Sequence, residues 1–488
     1  MFESYNKLVV PEGYALNNGM SIVHIYTPCK KTFKIELVVR AGMLKETKQE
    51  IGFAHLIEHL MSFYPSSKYP DSEENQQEIN RRGIQMNAWT SEHTCGYWME
   101  GLSKYRDILI DLIFQNFIDP TLDPSVFTQE KAAVLKELQN HVNNAWYNLE
   151  MMIQYVKFQG TNLEYTIEFE KKNVDNNATL ENILNFREKF YLPELVSVII
   201  TSNDSPLEFR EFVKNIASIY FSETLQSNYK SKKPLYRIKT PNPKKSNFGK
   251  KYKIHYIPET DEQEQEQVEK KRTKNIIFDD YTFFYINSEI DSYKIEFHFP
   301  VNFGLFDDKV YTLSFLEMML TDGLGSRLYY ALRTKLGAVY NTFSSAQLDP
   351  LNTNYNYFVI ETETSKEKLK DLVDYVLIEL DIIQNNISIS DDEFNQYMSS
   401  IELSEHHQNC TMDFSKHQEF YNSYIIWGRK IETIEEVIQK RKNVTKEQIV
   451  NVAKEIFKPN KMKIFYSGIE PILNNDSHIT ISNNDFKN

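Results

Sequence analysis

The chain has 488 residues, 41% of them hydrophobic and 25% charged, with 31 Phe and 30 Tyr against only 15 Gly and 16 Pro. That length suits two domains of about 200 residues each rather than one ordinary core, and the composition excludes global disorder and collagen-like or linker-dominated architecture. A formal charge of −13 argues against a general nucleic-acid binder, whose affinity would come from a basic face.

Taken in chain order, Ser21 to His24 and Lys34 to Val39 have the pattern of strands, and Gln85 to Met99 contains a long β-type stretch. Ile108 to Phe117 and Val126 to Val156 carry helical spacing, with Asp123-Pro124 as an N-cap and first helical residue. Thr179-Leu-Glu181-Asn-Ile183-Leu-Asn185 runs through Phe190-Tyr191 to Pro193, then to an apolar strand from Val196 to Ile200. Thr445-Lys-Glu447-Gln-Ile449-Val-Asn451 repeats that arrangement through Ile456-Phe457 to Pro459 and a strand from Met462 to Tyr466, at a constant offset of 266 (445 − 179). Each copy reads as a helix capped by Thr, stopped before Pro and followed by a buried strand. The repeat implies a duplicated domain. Between the copies, Lys230 to Lys253 is strongly basic and Pro258 to Glu269 strongly acidic, the character of a solvated linker.

Strands and helices in separate runs predict an α+β fold: two homologous domains, each a mostly antiparallel sheet with helices packed on one face. The expected boundaries are 1–225, a charged linker at 226–275, 276–473, and a polar tail at 474–488. No apolar run reaches the roughly 18 residues a membrane span needs. The first residues lack the features of a signal or transit peptide. Cys29, Cys95 and Cys410 are odd in number and form no C-x-x-C pair. These features predict a cytoplasmic chain in a reducing compartment.

The chemistry concentrates in Gly52-Phe-Ala-His55-Leu-Ile-Glu58-His59. On a helix, His55 and His59 stand at i and i+4 on one face, able to converge on one ion, and Glu58 borders that face as a base for a metal-bound water. A zinc site needs a third protein ligand. Glu130 and Glu137 lie two turns apart on one face of the next long helix, and either is equally readable as a carboxylate on a solvated stripe.

These residues resemble the pitrilysin/insulinase family of zinc metallopeptidases, particularly its short members related to mitochondrial processing peptidase, whose inverted motif is H-x-x-E-H. The resemblance implies Glu137, 78 residues after His59, as the third ligand of one zinc ion per chain. Glu130, seven residues earlier, becomes the group that orients the site. Leu16-Asn-Asn18-Gly19, Gly42 with Glu46, and Gly83 followed by Asn87-Ala88-Trp-Thr90 and Tyr97 also resemble family segments. Asn87 and Ala88 then belong to a strand along which substrate backbone adds as a further strand. In the second half, Arg333 and Tyr340 match a family Arg and Tyr seven apart, implying that Tyr340 donates to the developing oxyanion and Arg333 holds it or the substrate. Ser314 and Met318 fall where the two His ligands would stand in the duplicate, so that half is expected to hold no zinc.

The implied function is a zinc metalloendopeptidase that cuts extended or unstructured peptides inside a chamber enclosed by the two domains, with Glu58 as the base and domain opening about the linker gating access. The implied partners are peptide substrates and either a homologous partner subunit or a second copy in a homodimer, with no nucleic acid. Met43, the reduced glycine turn of the second half and the lone Gly83 depart from the family pattern, and they bear on substrate preference more than on catalysis. Two alternatives stand beside this reading: a non-catalytic structural or assembly subunit of the same fold, and an active subunit that needs a homologous partner chain.

Overall fold

The structure is a computed structural model that describes residues 11–28, 30–62, 66–122, 124–221, 225–226, 252–255, 277–386, 389–411, 422–429, 432, 434–458, 461–471 and 479–480. Most of the expected linker, the Asp123 cap and nearly all of the expected tail lie outside the described residues.

The first half contains strands β1 (Glu12–Leu16), β2 (Ser21–Tyr26), β3 (Thr32–Val39), β4 (Gln85–Thr90), β5 (Cys95–Leu102), β6 (Val196–Ser202) and β7 (Leu225–Gln226). Its helices are α1 (Phe53–Ser62), α2 (Ser72–Arg81), α3 (Arg106–Ile118), α4 (Pro124–Val142), α5 (Tyr147–Lys157), α6 (Ile167–Asn177), α7 (Leu180–Phe190) and α8 (Pro206–Phe221). The second half contains β8 (Tyr252–His255), β9 (Ile277–Asn287), β10 (Tyr293–Pro300), β11 (Val339–Gln347), β12 (Tyr357–Thr364), β13 (Lys463–Gly468) and β14 (Ile479–Thr480). Among its helices are α9 (Val310–Leu320), α10 (Lys366–Asn386), α11 (Asp391–Thr411), α12 (Ile434–Lys442) and α13 (Lys446–Ile456).

The strand orders are β4-β5-β3-β6-β2-β1-β7 and β11-β12-β10-β13-β9-β14, so the two sheets repeat one plan. In each sheet the strand after the Thr-capped helix inserts parallel to one neighbour, β6 to β2 and β13 to β9; the short β14 also runs parallel to β9, and the other described pairings are antiparallel. Thr179 and Thr445 cap α7 and α13 alike, each side chain accepting from a backbone amide three residues on, at 3.2 Å in both.

The expected β stretch over 85–99 is a hairpin. Its turn forms because Ser91 Oγ accepts from the amides of His93 and Thr94 while Ser91 N–H bonds Thr94 O. The expected helical stretch over 126–156 is broken between α4 and α5, where Asn144 Oδ1 accepts from Trp146 N–H at 2.8 Å and closes an Asx turn that competes with the helix.

One face of each sheet packs on its own helices, as expected. The opposite face is covered by the other half. On the first sheet Val23, Ile25, Val38 and Ile199 bury against Ile425, Ile426 and Trp427. On the second, Phe284, Ile286 and Phe465 bury against Tyr147, Leu149, Met151 and Met152 of α5. The exchange is reciprocal, so each half contributes apolar core to the other's sheet.

Candidate metal centre

The site begins with the turn that launches α1. Thr47 and Glu50 form a reciprocal capping box, Glu46 Oε1 accepts the Ala54 N–H at 2.7 Å, and Asn173 of α6 donates to Gln49 O and Ile51 O. Gly52 then turns the chain with φ +89°, and a Cβ there would lie 2.5 Å from Val174 and 2.9 Å from Glu170. Glycine is what allows α6 to approach so closely.

Along α1 the stripe Phe53, Ala54, Leu56, Ile57, Leu60 and Met61 is buried in the first-half core. Helical geometry leaves His55, Glu58, His59 and Ser62 on the other side, where they line a cavity of about 680 Å³ with Glu130, Glu137 and His141 of α4. Asn87 and Ala88 of β4 form part of its wall, as does Glu170 of α6.

Donor atoms of His55, His59 and Glu137 all lie within 4.8 Å of one another. His55 Nε2 is 3.8 Å from Glu137 Oε1, and His59 Nε2 is 3.4 Å from Glu137 Oε2. Tetrahedral coordination at the usual zinc–nitrogen and zinc–oxygen lengths separates ligand atoms by about 3.3 Å, so two imidazoles and a carboxylate at these spacings fit a zinc ion with small adjustments. The other ring nitrogens face carboxylates: His59 Nδ1 lies 3.1 Å from Glu130 Oε2, and His55 Nδ1 lies 3.6 Å from Glu170 Oε1. A carboxylate behind each Nδ1 favours a proton there and leaves Nε2 as the free donor atom. Burial disfavours a charged His55, but Glu170, with Glu137 and Glu58, outweighs it and raises the imidazole above its ordinary value. Proton and metal would compete for that ring.

Expected residues His55, Glu58, His59, Asn87, Ala88, Glu130 and Glu137 thus come together. Arg333 and Tyr340 come together with each other instead. Arg333 lies in a π-turn (Tyr330–Lys335), donates to Tyr340 O at 3.0 Å and stacks 4.9 Å from the Tyr340 ring. Tyr340 is 77% exposed, and neither residue is among those lining the cavity. In the duplicate helix α9, Ser314 bonds Tyr311 O and Met318 is buried, so the positions equivalent to the two His carry no imidazole.

Glu170 and His141 were not foreseen. Glu170 follows Glu137 on a separate helix at no metal-ligand spacing, and only the glycine at position 52 hints that something packs against the motif. His141 stands one turn beyond Glu137, 3.8 Å from its Oε1.

Two family models match the chain: Insulinase (Peptidase family M16) over residues 21–171 and Peptidase M16 inactive domain over residues 177–401. The second match includes α9, whose Ser314 and Met318 stand where α1 carries the His pair. Insulin-degrading enzyme of Mus musculus is 27% identical over 224 residues, 44% of this chain and 21% of that protein. Uncharacterized zinc protease YmxG of Bacillus subtilis (strain 168) is 22% identical over 204 residues, 42% of this chain and 48% of that one. The chain therefore matches less than half the length of either relative. The crystal structure of a protease from Helicobacter pylori shares the fold with a TM-score of 0.71 and 16% identity, covering 95% of this chain and all of that one. No helix among the described residues is long and apolar enough to cross a membrane. Two family matches in tandem, together with the repeated sheet plan, place this chain in the M16 insulinase family of peptidases.

Proposed function

We propose that the chain is a zinc-dependent metalloendopeptidase acting on extended or unstructured peptides in a chamber between its two halves. The observation that carries this reading is the convergence of His55, His59 and Glu137 in one cavity with Glu58 and the strand β4.

His55, His59 and Glu137 would hold the ion, oriented by Glu170 and Glu130 from behind. Zinc in such a site supplies Lewis acidity toward a peptide carbonyl and toward water. Glu58 takes the proton of the attacking water and delivers it to the leaving amine. Substrate backbone adds to β4, which pairs only with β5 among the described strands and ends its sheet. Main-chain bonds of this kind give affinity for extended chains with little dependence on side chains.

The test is digestion of a mixture of unstructured peptides, read by mass spectrometry, with and without chelator and beside Glu58→Gln. Cuts lost on chelation and in the variant support the reading. Cuts that survive both treatments move the catalyst elsewhere, and no cutting by zinc-loaded protein favours a scaffold role or a missing partner.

A second reading is an active subunit that needs a homologous partner chain, and the position of Arg333 and Tyr340 outside the cavity favours it. If these residues serve a neighbouring chain, mixing Glu58→Gln with Tyr340→Phe restores cutting that neither variant shows alone. If they serve their own chain, the mixture stays inactive.

A further inference from the structure

We propose that Thr90 is the positioning residue for Glu58, an inference that rests on the peptidase reading above. Thr90 is the last residue of β4, and its Oγ1 lies 2.9 Å from Glu58 Oε2. Two other groups approach the same hydroxyl: Ala54 O at 3.4 Å and Cys95 Sγ at 3.5 Å.

The direction of these bonds follows from chemistry. Cys95 is fully buried, and burial pushes its thiol up to about 12, so it stays a neutral thiol, whose sulfur is a weaker acceptor than a carboxylate. It lies within reach of Ala41 O at 3.3 Å and of Thr90 Oγ1. The Thr90 hydroxyl has one proton and a choice between a neutral carbonyl at the longer distance and a carboxylate at the shorter. Donation to the carboxylate is the stronger bond. It fixes Oε2 of Glu58 and leaves Oε1 as the oxygen that receives a proton from water. The bond persists through proton transfer, because the protonated acid still offers Oε2 as a carbonyl acceptor. A base held in this way need not reorient between taking a proton and returning it.

The duplicate half carries an independent counterpart. Glu317 of α9 stands where Glu58 stands on α1, and it too is tied to the edge strand of its sheet: its Oε1 accepts the Ala346 N–H of β11 at 2.7 Å. In that half the tie is a backbone amide and the carboxyl is largely buried, with its pKa raised by burial. In the first half the tie is a side-chain hydroxyl and the glutamate borders the open cavity. The helix-to-edge-strand link is thus common to both halves, made by a backbone amide in one and by the Thr90 hydroxyl in the other.

The test compares Thr90→Val, which keeps the branched shape without the hydroxyl, with Thr90→Ser, which keeps the hydroxyl, and Thr90→Ala as a second deletion should the valine protein fold poorly. Peptide cleavage is read as separate kcat and KM, together with zinc content and melting temperature. Losing a hydrogen bond to a charged group lowers kcat of Thr90→Val on the order of 10-fold or more, with KM and zinc content unchanged, and Thr90→Ser restores most of it. A valine protein with wild-type kcat overturns the proposal, as does a serine protein as slow as the valine one. Crystal structures of zinc-loaded wild type and Thr90→Val add a readout that does not need turnover: the Glu58 carboxylate is expected to rotate in the variant, and an unchanged carboxylate overturns the proposal. Wild-type protein that cuts no peptide counts against the peptidase reading, while the crystallographic comparison still decides the role of Thr90.

Discussion

His93 in the β4–β5 turn reaches Asp349 of the second half, Nε2 to Oδ2 at 2.7 Å, with the side chains 6% and 11% exposed. The pair ties the hairpin that walls the candidate metal centre directly to the opposite domain. Asp349 is also fixed from its own side, its Oδ1 accepting from the amides of Leu351 and Asn352 at 2.7 Å each. Trp427, one of the residues that covers the first sheet, packs edge-on against the His93 ring.

Removing one partner of a buried pair leaves the other uncompensated, which costs about 3 kcal/mol. Asp349→Ala should destabilise the chain by roughly that amount in urea unfolding. Hydrogen exchange should also accelerate in the β4–β5 turn, more than 200 residues away in sequence, as well as around position 349 itself. Acceleration confined to the second half would show that the contact does not couple the halves.

The two carboxylates behind the histidines differ in reach, and the difference predicts their relative worth. Glu130 Oε2 is at hydrogen-bond distance from His59 Nδ1, 3.1 Å, whereas Glu170 Oε1 stands 3.6 Å from His55 Nδ1. Glu130→Gln should weaken zinc binding by about 10-fold or more and Glu170→Gln by less, measured by competition with a chromophoric chelator. Equal losses would mean that charge rather than ring orientation governs affinity.

Gly52 is the residue on which the approach of Glu170 depends. At φ +89° an alanine is strained by its backbone alone, and its Cβ would also collide with Val174 and Glu170. Gly52→Ala should cost on the order of 3 kcal/mol in unfolding free energy, and the surviving folded protein should bind zinc less tightly than wild type. An alanine protein as stable as wild type would show that the turn can relax without moving α6.

Much of this architecture was legible because it is local. The i, i+4 spacing of His55 and His59 and the seven-residue spacing of Glu130 and Glu137 are helix geometry, and helix geometry survives in any tertiary setting. The duplication showed through the caps Thr179 and Thr445 because capping is read within four residues. Glu170 was not legible, since α6 meets α1 only after the chain has traversed four further helices. Nor was the covering of each sheet by the opposite half: Leu149, Met151 and Met152 form an apolar stripe that names no partner. Arg333 and Tyr340 lie between these cases. The π-turn brings the two together, but nothing short-range says which cavity, or which chain, the pair would serve.

His24 makes an acid-sensitive element of the first-half core. It is 1% exposed, stacked 3.8 Å from the Phe209 ring, and its Nε2 lies 3.0 Å from Ser202 Oγ. Ser202 donates its own proton to Asp204 Oδ2 at 2.9 Å, so the hydroxyl accepts from His24 Nε2–H. Burial lowers the imidazole from 6.5 to about 4, against a smaller opposing effect of the Ser202 backbone. Between those values the unfolded chain binds a proton that the folded chain refuses, so stability is full above about pH 6.5 and falls as the pH drops toward 4. From pH 7 to pH 5 this group should remove about 2 kcal/mol. His24→Gln lacks the titration, so its urea midpoint should shift less than that of wild type over the same interval, whatever its stability at pH 7. Parallel losses in the two proteins would mean that His24 takes up its proton within the folded core, with Ser202 or a rearranged Asp204 accepting the added charge.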